Sequence, residues 1–370
     1  MNKPIVSVVM VVCNVERFLS EAIESILSQT FREFEFVIVD FGSTDTTKAI
    51  VSSCAAKDER IKFHTIPSCG LGTARNASCS LAQGKYLAVM DADDVALSDR
   101  LASQLSFMEQ NAEVGVMGGG VEWITAAGKS LVTLRYPTDN RDIQAALLEH
   151  CSVWHPTAFM RKDAFDAAGG YRAAFAPAED YDLFLRIAEH FQIANLKEVV
   201  LKYRIHPHQL SMHKRRQQSL RCLAARASAL SRRKGQGDPI NSLEEITPET
   251  VAVLGVSEIT QKAILVREYL SWLRGMFLAG EYSTVLSAAI EILQSPDQKC
   301  ADRWAIADLR FLVARIYWRQ KRYWRSIMTA GHAVMARPVM LGRPLKALLH
   351  WLRQTVRTGR SARADAMSQS

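Results

Sequence analysis

The sequence has no window near the roughly 18 consecutive apolar residues that a membrane-spanning helix needs, so no span is expected. Its seven cysteines, at 13, 54, 69, 79, 151, 222 and 300, form no C-x-x-C pair and no metal-finger spacing. Read as reduced thiols, they exclude a disulfide scaffold and a structural zinc site and fit a cytoplasmic protein. No secretory leader is expected, because Lys3 is followed by a strand-like run without a small-residue cleavage site. Acidic residues are scarce in the second half. Residues 212–370 carry 12 Asp and Glu against 26 Lys and Arg, while residues 1–211 carry 26 against 20. The basic half calls for an anionic partner or surface. No recognised nucleic-acid module accompanies that charge, so nucleic acid is not an expected partner.

What is present divides in two. The length of 370 residues suggests two or three domains. Up to about residue 205, strand-like and helix-like segments alternate. Val6–Val12 is continuous and β-branched, as a strand buried on both faces should be. Leu19, Ile23, Ile26 and Leu27 follow at helical spacing. Further strands are predicted over 34–39, 61–66, 86–90 and 114–117, with helices over 73–81, stopping at Gly84, and 101–108. Ser43 or Asp45 is the expected cap of the helix after the second strand. The alternation predicts an α/β fold, a mainly parallel sheet flanked by helices. An all-α region should follow. Residues 212–258 read as a basic helix and a linker, G-Q-G-D-P at 235–239. From 259 to 370 only helical periodicity is visible. Tyr282 and Tyr323 each follow one helix and open another, which suggests either helical repeats or an ordinary bundle.

In parallel α/β sheets ligands bind at the carboxyl ends of the strands. Asn14 follows the first strand, Asp40 ends the second, and Asp91, Asp93 and Asp94 follow the fourth. Clustered carboxylates repel one another unless a cation relieves them, and hard oxygen donors favour Mg²⁺ or Mn²⁺. The alternative is an acidic turn that caps the next helix.

Those strand ends sit within a series of motifs. The opening run 6–40 resembles that of a family 2 glycosyltransferase with the GT-A fold. G-T-A-R-N-A (72–77), G-K-Y (84–86) with D-A-D-D (91–94), W-H-P-T (154–157), G-G-Y (169–171), A-E-D-Y-D-L-F-L-R (178–186) and Y-R-I-H (203–206) follow in that family's order. The resemblance covers about residues 4–211, hence a catalytic domain at 1–211, and implies specific roles. Asp91 and Asp93 match the D-x-D carboxylates that bind the metal on the nucleotide-sugar, with His206 as a late ligand. Asp40 matches the acid at the nucleoside end, and Arg75 is a candidate phosphate contact, its alternative being a solvated helix arginine. Val11, Asn14, Phe41 and His155 complete the nucleotide-sugar side. Glu179 and Asp180 match the catalytic E-D pair, with Asp180 as general base; a carboxylate opposite the leaving group can deprotonate an acceptor hydroxyl. Asp182, nearly across that helix, is expected to be structural.

The resemblance thus implies a metal-dependent, inverting transferase using Mg²⁺ or Mn²⁺. Its donor is a nucleotide-sugar and its acceptor a glycan or lipid-linked hydroxyl, as in cell-envelope polysaccharide synthesis. The enzyme would be cytoplasmic, with the basic, Leu- and Trp-bearing segment 337–353 peripheral on an anionic membrane. One departure stands out. The family's usual D-D-G-S is here D-F-G-S, and Phe41 cannot hydrogen-bond a base edge. It could stack on the base, pack inward or block the pocket. A weakly catalytic scaffold protein with a degraded pocket is the alternative function. A nucleotidyltransferase is remote, since the loop Cys13-Asn14-Val15-Glu16 is neither Gly-rich nor basic.

Overall fold

The structure is a computed structural model that describes residues 3–207, 209, 214–241, 243 and 245–337. Within these, two compact units separate. The first runs to Gln261 and takes in 278–280; the second takes in 262–277 and the residues from 281 on.

The first unit is built on one sheet. The valine-rich β1 (Val6–Val12) is followed by α1 (Glu16–Leu27), β2 (Phe34–Asp40), α2 (Thr47–Ala55), β3 (Ile61–Thr65), α3 (Leu71–Leu81) and β4 (Tyr86–Val89). Then come the two-residue β5 (Val95–Ala96), α4 (Arg100–Gln110), β6 (Val114–Thr125), β7 (Ser130–Leu134), α5 (Asn140–Leu147), β8 (Phe159–Arg161), α6 (Lys162–Ala167), α7 (Glu179–Ile187) and β9 (Gln192–Ile205). The strand order is β3-β2-β1-β4-β8-β6-β9-β5, with β7 beside β6. The first four strands are parallel, as predicted. Beyond β4 the pairing is mixed: β8 is antiparallel to β4 and β6, while β6 and β9 run parallel over a long, bulged register. Residues such as Val8, Met10, Phe36, Ile38 and Tyr86 pack inside with Leu19, Ile23 and Ile26 of α1.

Three local expectations change. Gly84 does not end α3, whose cap is Ala82. A Cβ at Gly84 would lie 2.6 Å from the Ser7 backbone nitrogen, so glycine there permits β4 to enter close against β1. Neither Ser43 nor Asp45 is the N-cap of α2, which is Thr46. The Ser43 hydroxyl accepts from the Asn14 backbone N–H at 3.1 Å, while Asp45, one residue before the cap, accepts from the Thr47 N–H at 3.0 Å. The strand expected at 114–117 runs on to Thr125, since its glycines let β9 approach.

The basic segment after the sheet forms α8 (Arg215–Arg233), which packs on α7, and the short α9 (Pro248–Val253) follows. The G-Q-G-D-P stretch is tied down through Asp238. Its carboxylate accepts from Arg172 at 2.7 Å, Arg232 at 2.6 Å, Ser228 and the Ile240 N–H. These charges hold Asp238 far below the usual carboxylate range, with Ser228 and Ile240 foremost among the favourable partners and burial opposing them. Arg172 and Arg232 keep Asp182 and Glu189 as further partners, so Asp238→Ala should cost about 2 kcal/mol, less than stripping a buried pair bare. The ion-paired Asp238 stabilises fully above the ordinary carboxylate value of about 4, and this stabilisation fades as pH falls. Urea unfolding at pH 7 and pH 3 should therefore show a smaller wild-type-to-variant gap at the lower pH; an equal gap would refute the ionic contribution.

The second unit is all-helical. α10 (Glu258–Ala279) leads into α11 (Tyr282–Gln294), α11 packs on α12 (Arg303–Arg319), and α12 pairs with α13 (Tyr323–Ala336). Tyr282 and Tyr323 are the first residues of α11 and α13, as expected. Gly280 (φ +87°) turns the first corner, and Lys321 (φ +60°) holds the matching left-handed position in the second. No described helix is long and apolar enough to cross a membrane. The segment 338–370, with most of the basic stretch expected to touch a membrane, lies outside the described residues, as do His208 and His213.

Candidate active site

Register brings the acidic strand ends together. Val12 pairs with Asp40 across β1 and β2, and β4 lies on the other side of β1, with the Met90 N–H donating to the Val9 carbonyl. Asp40 and Asp91 therefore leave the sheet on either side of β1. Connections diverge at this switch point and open a crevice. A small cleft here is lined by Val9, Val11, Arg75, Met90, Asp91 and Tyr171, among others.

Arg75 is the hinge of the cleft. Its Nη1 donates to Glu179 Oε1 at 2.5 Å, and its Nη2 lies 3.7 Å from Asp91 Oδ1. It also lies over the Tyr171 ring at 5.9 Å. The solvated-arginine alternative is excluded, because only 15% of the side chain is exposed. Glu179 is fully buried at the start of α7 and committed to this pair. Asp180, the next residue, is half-buried and has no ion pair among the described residues. Burial, reinforced by the Glu179 charge, pushes Asp180 up to about 7 despite the opposing pull of Arg75. Asp182 points elsewhere, bound by Arg172 and by Arg186 at 2.8 Å, as a structural residue should be.

Burial likewise raises Asp91 to about 6 against the pull of Arg75, with Asp93 and Glu179 adding to the rise. His155 is buried with Nε2 3.1 Å from the Tyr171 hydroxyl and Nδ1 3.9 Å from Asp91. Desolvation, with Arg75 and Arg100 nearby, holds His155 well below its ordinary value, so it is neutral. His206 Nε2 meets Asp93 Oδ2 at 3.0 Å. The acidic turn does not cap α4, whose N-cap is Asp99, with β5 in between. Instead Arg204, 1% exposed, clamps the turn. Its N–H donates to Asp94 Oδ1 at 2.8 Å and its Nε to the Asp93 carbonyl at 2.8 Å, while Nη2 reaches Glu21 at 2.6 Å.

On the nucleoside side, Asp40 is buried and accepts from the Gly42 and Ser43 N–H groups, each at 3.1 Å. Asn14 is not brought into the Arg75 cluster. Its side-chain oxygen accepts from the Thr44 N–H at 2.8 Å and so staples two loops together. Phe41 is half-buried, with its N–H on the Val12 carbonyl at 3.2 Å, and contacts no other aromatic ring among the described residues. Tyr171 and Arg204 carried no assigned role in the sequence, although they stand inside the G-G-Y and Y-R-I-H motifs.

Among the described residues no group of three His, Cys, Asp or Glu forms a ready metal cage. Asp93 and His206 supply one oxygen and one nitrogen donor. Mg²⁺ commonly takes one or two carboxylates and completes its shell with water and substrate phosphate. The donor set thus fits a cation that arrives with a diphosphate. Buried atoms Asp40 Oδ2, His155 Nδ1, Glu179 Oε2 and His206 Nδ1 have no hydrogen-bond partner among the described residues. Orphans of this kind are what a bound polar ligand or its water can satisfy.

Residues 7–169 match the family model described as glycosyl transferase family 2. An uncharacterized glycosyltransferase of Methanocaldococcus jannaschii is 35% identical over 211 residues, which are 55% of this chain and 72% of that protein. The O-antigen biosynthesis glycosyltransferase WbnJ of Escherichia coli is 33% identical over 206 residues, 54% of this chain and 80% of that one. Among solved structures, S. aureus TarS 1-349 superposes with a TM-score of 0.52 at 16% identity, covering 90% of this chain and 92% of the other. That likeness is one of fold.

Proposed function

This chain belongs to the family 2 glycosyltransferases, and from that premise we propose that it moves a sugar, with inversion, from a nucleotide-sugar to a hydroxyl of a glycan or lipid-linked acceptor. The observation that carries the proposal is the Arg75 bridge between the D-A-D turn and the E-D pair. It commits Glu179 to a structural ion pair and leaves Asp180 as the carboxylate able to take a proton.

Asp40 would receive the nucleoside end, and Arg75 would present its guanidinium to the diphosphate while held by Glu179 and Asp91. Asp93 and His206, with Asp91 beside them, would hold a divalent cation, which when bound offsets charge on the leaving diphosphate. Asp180 would accept the acceptor hydroxyl proton as that oxygen attacks the anomeric carbon. One displacement with one base inverts the configuration. Neutral His155 can hold the Tyr171 hydroxyl without adding charge. The site lies in residues 1–211, proposed here as the catalytic domain, with α8 and its tether buttressing α7 and the helical unit serving another purpose. A lipid-linked acceptor would place the enzyme peripherally at the inner face of a membrane.

A thermal-shift screen of nucleotide-sugars with Mn²⁺ or Mg²⁺ tests this, because a ligand at 100 times its Kd adds about 2.7 kcal/mol of apparent stability. A shift with one donor, followed by turnover of that donor, is expected; no shift and no turnover with any donor overturns the proposal. Phe41 is assigned to stack on the base. Phe41→Asp should then weaken the wild-type donor by about fivefold, a stacking contact being worth about 1 kcal/mol, and alter the ranking of bases. An unchanged ranking would show that Phe41 does not set donor choice.

A further inference from the structure

The helical unit carries a surface that the transfer chemistry leaves unused. On α13, Ser326 and Ala333 are buried, with Ala330 half-buried on the same face. The opposite face holds Trp324 (73% exposed), Ile327 (56%), Met328 and Met335 (82%). Their spacing of three, four and seven residues puts them on one side of the helix, with exposed Gly331 between Met328 and Met335. At its N-terminal end the stripe joins the Tyr323 ring, which meets exposed Trp318 of α12 edge-on with centroids 4.9 Å apart. A soluble surface seldom leaves so much contiguous aromatic and aliphatic area open without a use.

Charge rims the stripe. Lys321, Arg322 and Arg325 are exposed. Arg274 and Arg337 pair with Asp308, whereas Lys321, Arg322 and Arg325 show no ion pair among the described residues. From 301 to 337 there are eight Lys and Arg against two Asp. A second copy docking face to face would bring like charges together. A flat anionic surface with an apolar interior satisfies both the charge and the stripe. Trp and Tyr favour the headgroup level, Ile and Met enter the acyl boundary, and the basic side chains stay with the headgroups.

We propose that the α13 face, Trp318 and Tyr323 through Met335 with Lys321, Arg322 and Arg325, docks this protein on an anionic lipid bilayer. This deepens the reading of a transferase with a membrane-borne acceptor, and it stands on residues separate from the catalytic site.

Co-sedimentation of the full chain with phosphatidylcholine vesicles, with and without phosphatidylglycerol, tests it. Wild type should sediment with the anionic vesicles, and less so at high salt. Lys321→Gln, Arg322→Gln and Arg325→Gln together should weaken binding about 100-fold, at about 1 kcal/mol per basic residue. Trp324→Glu with Met328→Glu should weaken it at least about tenfold. These exposed positions should leave the melting temperature and soluble-donor turnover unchanged. Wild type failing to bind anionic vesicles, or both patch variants binding like wild type, overturns the docking face. So does loss of self-association in Trp324→Glu without any vesicle binding, which would assign the face to another chain. Asp180→Asn should bind vesicles normally, so a failed transferase reading and a failed docking face give different results.

Discussion

Asp180→Asn is expected to lower kcat by about 10²–10⁴-fold, the range a positioned general base contributes, while donor affinity stays near wild type. The substitution keeps shape and removes only the ability to accept a proton. Glu179 cannot substitute, because it is fully buried and held by Arg75 at 2.5 Å. The pH profile gives an independent check. Asp180 is raised to about 7 by burial and by Glu179, and only its deprotonated form can act. Activity should therefore rise with pH, about tenfold per unit below the midpoint, and level off above about 7. The Glu179 charge helps set that midpoint, so Glu179→Gln should move it downward wherever the variant folds. Initial rates with a soluble acceptor, beside donor calorimetry, separate turnover from binding. Wild-type-like turnover by Asp180→Asn, or an ascending limb near pH 4, would sink the assignment.

Arg75→Met should damage stability as well as activity. It leaves the Glu179 carboxylate in a fully buried site without its countercharge, a loss of about 3–5 kcal/mol. In a unit of this size that is a fall in melting temperature on the order of 10 °C. Arg75→Met with Glu179→Met removes both charges and should regain most of the stability, since a buried pair is often no better than a well-packed apolar one. Activity should not return, because the phosphate contact stays missing. Differential scanning calorimetry of the two singles and the double would decide it. Additive losses in the double would mean that the Arg75–Glu179 pair is not the unit of stability described here.

Much of this was legible in the chain. The continuous β-branched run at Val6–Val12 and the 3.6-residue spacing of Leu19, Ile23 and Ile26 are local properties. They gave the parallel half of the sheet, and the motif order gave the family. The antiparallel half was less visible. β8 is three residues long and β5 two, too short for any period to show. Caps misled for a related reason. Gly84 reads like a helix stop, yet its neighbour in space is Ser7, 77 residues away.

The site divides in the same way. Sequence by itself determined which carboxylates and histidines stand at strand ends and helix starts, because that placement follows from local structure. Tertiary structure alone decided what each one meets. Arg75 meets Glu179 across 104 residues, Arg204 clamps Asp94 across 110, and His206 meets Asp93 across 113. Asn14, which the motif order puts on the nucleotide-sugar side, staples two loops through its side-chain oxygen. A charge finds its partner through strand order and burial, and neither is written in the spacing of residues along the chain.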